Sequence, residues 1–170
     1  MDIDWLALVL RWLHIVAAVA AIGGTIFMRV ALVPAAAELP ADIHKSLAEA
    51  IRRRWAKVVM AAILFLLVSG LWNFFIINAS FKTAGLKIPP LYHPLFGVKF
   101  LLALGIFYIA SSLAGRSAAT AKFRENAKTW LTVNLVLGIL VICISGVLRM
   151  THNAPNPNLP KLAAEASPAP

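Results

Sequence analysis

The chain has 170 residues, of which 61% are hydrophobic and 14% are charged, and its formal net charge is +9. Soluble domains average about 45–50% apolar and about 25% charged residues, so this composition excludes a soluble globular domain and indicates an integral membrane protein. The net charge alone would suit a nucleic-acid-binding protein. The basic residues, however, flank the apolar stretches as membrane topology requires, and we expect no nucleic-acid partner.

Four apolar stretches are long enough to cross a bilayer as helices, which takes about 20 residues each. We expect Pro34 to end the first of them, because proline removes a helical hydrogen bond. The four predicted spans cover about residues 5–33, 56–79, 94–115 and 129–150. The fold predicted from the sequence is therefore an all-α integral membrane protein, a four-transmembrane-helix bundle in contact with the lipid bilayer.

The bundle is predicted to form a single domain over residues 1–150. The Pro- and Ala-rich segment 151–170 has the composition of a flexible tail. The acidic opening Met1–Asp4 and the length of the first apolar run differ from a cleavable signal sequence, and we expect none. Between the first two spans, the residues after Pro40 have apolar positions at helical spacing, which predicts a helix that continues into the second span.

Basic residues are distributed unequally between the connections. Nine lie in the connections between spans 1 and 2 and between spans 3 and 4, and two, Lys82 and Lys87, lie in the loop between spans 2 and 3. Because cytoplasmic loops carry the excess of Lys and Arg, we predict a multi-pass protein of the bacterial inner (cytoplasmic) membrane. Both termini then lie outside, on the periplasmic side.

A short internal repeat accompanies this layout. The sequence V-S-G-L-W-N at 68–73 resembles I-S-G-V-L-R at 144–149. This similarity predicts two duplicated helical hairpins, related by an axis along the membrane normal.

Polar side chains within the spans concentrate in the half nearer the termini. His14 lies well inside the first span, where an ionisable residue is costly and is a functional hypothesis by default. The set in this half consists of Arg11, His14, Asn73, His93, Lys99, Arg149 and His152. On each helix these residues share a face with small residues, which membrane helices turn toward one another.

This combination predicts a haem b site in the bundle. A neutral imidazole is a common haem-iron ligand, and His14 is the predicted axial ligand. Cations near the water boundary suit the haem propionates. The predicted cofactor-binding residues are His14, Arg11, Lys99, Asn73 and Arg149, the second axial ligand is His93, His152 or Lys99 in that order, and the aromatic packing residues are Trp12, Trp72, Phe96 and Phe100.

Simpler interpretations of the same residues stay open. His14 is also suited to a hydrogen bond with a serine or asparagine on another helix. Lys99 is long enough to extend its amine to the membrane surface. His93 is also typical of a helix start, and His152 of a plain tail.

Two segments resemble a known family. The stretch L-R-W-L-H-I-V-A-A-V-A-A-I-G-G-T-I-F-M-R-V at 10–30 is similar to the first helix of the CopD/HemJ-like membrane proteins, and F-G-V-K-F-L-L-A-L at 96–104 is similar to their third helix. The family includes copper-resistance D proteins and HemJ-type protoporphyrinogen oxidases. The resemblance implies a four-helix core over about 5–150, with His14 and Lys99 linked to haem or porphyrin handling.

Three functions follow as alternatives. The first is a b-type haem protein that transfers electrons, alone or as a subunit of a respiratory membrane complex. The second is protoporphyrinogen oxidation in haem biosynthesis. The third is a copper-handling or cofactor-free structural subunit, in which the thioether of Met150 and the imidazole of His152 would suit Cu(I). A larger complex and a homo-oligomer are both compatible with so small a chain, and the sequence leaves open whether it is an enzyme.

Overall fold

The structure of the chain is a computed structural model that describes residues 5–153, with the side chains of His152 and Asn153 and all of residues 154–170 outside the described set. Within residues 5–153 the regular structure is entirely helical. Its elements are α1 (Trp5–Phe27), a π-helical turn (Met28–Leu32), α2 (Val33–Ala37), α3 (Ala41–Thr83), α4 (Tyr92–Ala114), a 3-10 turn (Ala118–Thr120), α5 (Ala121–Glu125) and α6 (Ala127–Asn153).

Four helices are long and apolar enough to cross a membrane, which confirms the predicted all-α, four-span fold. They are the continuous helix formed by α1, the π-helical turn and α2, followed by α3, α4 and α6. Large apolar side chains cover the outside of the bundle, among them Val16 at 65% exposure and Leu101 at 68%. An outward apolar surface of this kind suits lipid rather than water.

The helices pack in a closed ring, in which each contacts two neighbours. Helix α1 packs against α3, α3 against α4, α4 against α6, and α6 against α1. The closest packing is within the pairs α1/α3 and α4/α6, which are the two hairpins recognised in the sequence. Small residues allow this approach, since Ala17 of α1 and Ala62 of α3 are buried. That the hairpins arose by duplication stays a prediction.

The two ends of the bundle differ in charge, and we call them the basic end and the termini end. The basic end comprises the connection from α2 to α3, the first part of α3 (residues 41–57), and the connection from α4 to α6 with the first turn of α6. The termini end comprises the start of α1, the loop between α3 and α4, and the end of α6. Residues 151–153, which the sequence assigned to the tail, continue α6.

The first span does not end at Pro34, so the expectation that proline closes it was wrong. The helix widens to a π-helical turn just before Pro34, and the backbone N–H of Val33 bonds Met28 O, five residues earlier. Pro34 then falls in the first turn of α2, where its missing N–H costs little. The span therefore continues to Ala37.

Helix α3 begins directly after Pro40 and has 43 residues, which corresponds to about 65 Å of helix. The hydrocarbon core is about 30 Å thick, so α3 projects well beyond it at the basic end. The predicted continuation of this helix from the first connection into the second span is confirmed. Leu47 and Ile51 of the projecting part still face the interior of the bundle.

Candidate functional site

A cavity of about 1340 Å³ runs along the inside of the bundle and is lined by all four spans. Ligand sites for small molecules typically have about 300–1,000 Å³, so this space is large enough for a sizeable cofactor. The lining is mostly apolar. It reaches from Arg11 and Arg149 at the termini end to Arg52 and Lys128 at the basic end.

His14 lies on this cavity and is held by a hydrogen bond to the neighbouring helix. Its Nδ1 is 2.7 Å from Ser69 Oγ of α3. The Ser69 hydroxyl donates its proton to the backbone oxygen of Phe65, one turn earlier. Because a serine hydroxyl has a single proton, Ser69 Oγ must accept from His14 Nδ1–H. The protonated Nδ1 leaves the lone pair of Nε2 available in the neutral imidazole.

The surroundings of His14 hold the ring and keep its second nitrogen free. Ser69 is only 1% exposed, so its hydroxyl is fixed in the helix interface. Gly70 lies beside the ring, and a Cβ added there would be 3.7 Å from His14 Cε1. Within the described residues, Nε2 of His14 has no hydrogen-bond partner. An imidazole oriented through Nδ1 with a free Nε2 is the usual arrangement of a histidine metal ligand.

The other four predicted cofactor residues line the same cavity. Lys99 of α4 lines the cavity, and it has no ion-pair or hydrogen-bond partner among residues 5–151. Asn73 of α3 lies one turn beyond Ser69 toward the termini end. Arg11 and Arg149 are exposed at that end. The structure thus brings His14, Arg11, Asn73, Lys99 and Arg149 to one cavity.

The other predicted iron ligands are placed differently. His93 is exposed at the start of α4, and its Nε2 is 3.1 Å from Asn78 Oδ1. Its ring also meets Phe74 edge-on, with 6.0 Å between the centroids. His93 is not among the residues that line the cavity, and the side chain of His152 lies outside the described residues. Lys99 is therefore the one of the three proposed second ligands that the structure places on the cavity.

Of the two predicted copper ligands, Met150 and His152, the structure describes the side chain of Met150 only. Met150 is 76% exposed on the outside of α6. Among residues 5–151 no three His, Cys, Asp or Glu side chains come together in a way that would hold a metal ion.

Aromatic rings form one wall of the cavity at the termini end. Phe74 stacks on Phe96 with 4.2 Å between the ring centroids, and Phe96 is followed by Phe100 at 6.2 Å with nearly parallel planes. Phe96 and Phe100 both line the cavity, as predicted for packing residues. Trp12 and Trp72 do not; they are 55% and 39% exposed toward the lipid side.

Two polar residues of the site, Ser69 and Asn134, were not identified as site residues from the sequence. The helical spacing shows only that Ser69 shares a face with Asn73, and a serine is one of several possible partners for His14. Asn134 of α6 is 6% exposed and lines the cavity, and its Oδ1 is buried with no hydrogen-bond partner among the described residues. The helical spacing of Asn134 with Gly138 and Ser145 places it on an inward face, but nothing in the sequence shows that it would lack a partner.

Comparisons with family models, with curated proteins and with solved structures found no match for this chain. The resemblance of α1 and α4 to the CopD/HemJ-like proteins therefore stays a prediction.

Proposed function

We propose that the protein is a membrane-integral b-type haem protein that transfers electrons, alone or as a subunit of a larger respiratory complex. The observation that supports this most directly is the His14–Ser69 pair. Ser69 holds Nδ1 of the imidazole at 2.7 Å, which leaves Nε2 unprotonated on the wall of a large apolar cavity. This is the orientation and protonation that an axial haem ligand requires.

The residues around His14 fit the propionates and the macrocycle of a haem. Arg11, Lys99 and Arg149 supply three cations for the two propionates, at the end of the cavity that lies nearest to water. Phe96 and Phe100 offer flat apolar surface for the macrocycle. The amide of Asn73 adds a donor at the same end. When bound, the haem would supply a one-electron redox centre, and the protein residues would bind it, orient it and shield it from water.

The position of Lys99 bears on the second axial ligand. Of the three residues proposed from the sequence it is the one placed on the cavity, and its amine has no partner among the described residues. We therefore propose Lys99 before His93 as the second axial ligand, because Nε2 of His93 already makes a hydrogen bond with Asn78. The same amine is also suited to a propionate, and the two roles differ in the spectrum of a Lys99→Met variant. Loss of an axial ligand changes the coordination state of the iron, whereas loss of a propionate partner only weakens binding.

The decisive experiment is an absorption spectrum of protein purified from haem-replete cells, oxidised and then reduced. We expect a Soret band and, after reduction, the α band of a b-type haem. His14→Ala should abolish both. His44→Ala is the matched control, because His44 lies at the basic end of the cavity, and it should keep the spectrum.

A colourless preparation would contradict the proposal and direct attention to the two alternatives. Restored growth of a strain that lacks protoporphyrinogen oxidase would then favour the enzyme of haem biosynthesis. Copper in the purified protein, lost in a Met150→Leu/His152→Ala variant, would favour copper handling. A colourless, copper-free protein without oxidase activity would favour a structural subunit.

We also propose that the protein lies in a bacterial inner membrane with its termini on the periplasmic side. What supports this is the distribution of charge. The basic end carries nine Lys and Arg residues, five of them in the first part of α3 and four between Arg116 and Lys128, whereas the opposite end carries Lys82 at the end of α3 and Lys87 in the loop that follows. By the positive-inside rule the basic end is then cytoplasmic, and the His14 region opens toward the periplasm.

A further inference from the structure

The cavity has a second polar region in its basic half, centred on Asn134. This residue of α6 is only 6% exposed, and its side-chain oxygen is enclosed without a hydrogen-bond partner among the described residues. A buried carbonyl without a partner is costly, particularly in a membrane, where the surrounding lipid offers no hydrogen bonds. Asn134 also lines the cavity. A half-turn of its amide exchanges the positions of the oxygen and the nitrogen, and in that orientation a molecule in the cavity is able to supply the missing donor.

Thr25 of α1 faces the cavity at the same depth and also presents an acceptor. Its hydroxyl donates to Ala21 O at 2.8 Å, so its oxygen is left with acceptor capacity only. The depth follows from two contacts between the first span and α6: Ile22 lies against Gly138, and Arg29 donates to Thr132. Thr25 and Asn134 lie between these two levels on their respective helices.

Apolar side chains surround these two acceptors. Leu131, Leu135 and Phe107 line the cavity in the same half. A guest that suits this region is therefore apolar over most of its surface and carries a hydrogen-bond donor. A charged donor would be poorly matched, because the nearby polar atoms are neutral and the enclosure is apolar.

This region is separate from the His14 site. Thr25 follows His14 by eleven residues of helix, which corresponds to about 16 Å along the axis. The observations on Asn134 and Thr25 stand without any cofactor at His14, so the inference does not depend on the proposed function.

We propose that the basic half of the cavity binds a lipid-soluble molecule with a hydroxyl group, which donates a hydrogen bond to Asn134 Oδ1. The apolar body of this molecule lies among Leu131, Leu135 and Phe107, and Thr25 Oγ1 is the second acceptor within the site. The class comprises lipid-soluble phenols and alcohols. A membrane-embedded protein meets such molecules directly in the bilayer.

Two compounds that differ only in the donor test the proposal on the wild-type protein. They are 4-decylphenol and its methyl ether, 4-decylanisole, added at equal concentrations to the protein in detergent. We expect 4-decylphenol to raise Tm by about 2–4 °C and the ether to leave it unchanged. Equal effects of both compounds would show apolar partitioning alone, and no effect of either would show that water satisfies Asn134. Each result would overturn the proposal.

Single substitutions test whether 4-decylphenol acts at Asn134. Asn134→Leu removes the acceptor at similar volume and should abolish the response to 4-decylphenol. Asn78→Leu, the same substitution at a residue outside the cavity, should keep it. Thr25→Val supplies a second variant if Asn134→Leu does not fold, and it should reduce the response. An undiminished response in Asn134→Leu, or in Thr25→Val where it is the variant used, would overturn the proposal.

The haem spectrum separates this site from the one at His14. Asn134→Leu should keep any Soret band that depends on His14, because the two regions are about 16 Å apart. Loss of that band in Asn134→Leu would assign Asn134 to the haem site and overturn the proposal of a separate occupant. Failure of the compound test with an intact band would leave the proposed function standing.

Discussion

His14 Nδ1 and Ser69 Oγ lie 2.7 Å apart across the interface of α1 and α3, although 55 residues separate them in the chain. The pair joins the two helices of one hairpin. Ser69 in turn is fixed to its own helix through Phe65 O. These two hydrogen bonds connect the orientation of the His14 imidazole to the backbone of the neighbouring span, so that orientation depends directly on how the hairpin packs.

Ser69→Ala should weaken cofactor binding without removing the ligand itself. The variant leaves His14 Nδ1–H without its acceptor and frees the ring to rotate. Loss of a partner that orients a metal-bound histidine typically costs about 10–100-fold in affinity, and we expect that loss for haem. Titration of the haem-free protein with haem, followed at the Soret band, gives the dissociation constant.

Ser145→Ala is the matched control for this experiment. Ser145 occupies the corresponding place in the repeat, and its hydroxyl donates to Val141 O at 2.6 Å in the same way within α6. Removing it tests the loss of a serine hydroxyl on the cavity without touching His14. We expect haem affinity to stay within about twofold of wild type, since the Ser145 hydroxyl bonds the backbone of its own helix and does not orient His14. Equal losses in both variants would contradict a specific role for the His14–Ser69 bond.

Gly24 should be sensitive to the addition of a single methyl group. A Cβ at this position would overlap the indole of Trp55, which packs directly over the glycine. Overpacking of this kind costs about 1–3 kcal/mol, so Gly24→Ala should lower the free energy of unfolding by that amount. At the adjacent Gly23 an added Cβ would meet no atom within 4 Å, and Gly23→Ala should be neutral or stabilising by up to about 1 kcal/mol.

A compensating change identifies the cause. Trp55→Leu vacates the space that the new methyl group would occupy, so Gly24→Ala should cost much less in that background. Thermal or chemical unfolding in detergent, followed by the helical circular dichroism signal, gives the stability of the wild type, the two single variants and the double variant. An additive loss in the double variant would show that the indole of Trp55 is not what makes Gly24 necessary.

The main features of the fold were predictable because a membrane imposes simple rules on a sequence. Four apolar runs gave four spans, and the depth of His14 and Lys99 along their helices placed both on one half of the bundle. The path of the chain through Pro34 was not predictable, because it depends on a π-helical turn that no pattern in the sequence indicates. The partner of His93 and the unpaired oxygen of Asn134 depend on helix rotation, which sequence spacing fixes only to within a face.

Arg29 should stabilise the packing of the first span against α6. It lies in the π-helical turn, and its Nε donates to Thr132 Oγ1 at 2.7 Å. A hydrogen bond of this type contributes about 1 kcal/mol at a partly exposed site. Arg29→Gln and Thr132→Val should each lower the free energy of unfolding, and the double variant should lose less than the sum of the two.

The double-mutant cycle gives the coupling between the two side chains directly. We expect a coupling free energy of about 1 kcal/mol, measured by chemical unfolding in detergent. Thr132→Ser, which keeps the hydroxyl, is the control and should retain most of the stability. Strictly additive losses in the cycle would mean that the bond contributes nothing in the membrane-embedded protein.

The proposed orientation predicts which connections a membrane-impermeant reagent reaches in intact cells. Cys143, the single cysteine of the chain, is first replaced by serine, so that each test protein carries one thiol. Leu86→Cys lies in the loop between α3 and α4 at the termini end, and Ala118→Cys lies in the connection between α4 and α6 at the basic end. Both positions are exposed, so access to the reagent depends on the side of the membrane.

Leu86→Cys should react with an impermeant maleimide in intact cells with a permeable outer membrane, and Ala118→Cys should react only after the inner membrane is opened. The reason is the unequal charge, because the nine basic residues at one end hold that end in the cytoplasm. The reverse labelling pattern would place the His14 end of the cavity on the cytoplasmic side. A haem at His14 would then exchange electrons with cytoplasmic rather than periplasmic partners, so this measurement also decides where a redox partner should be sought.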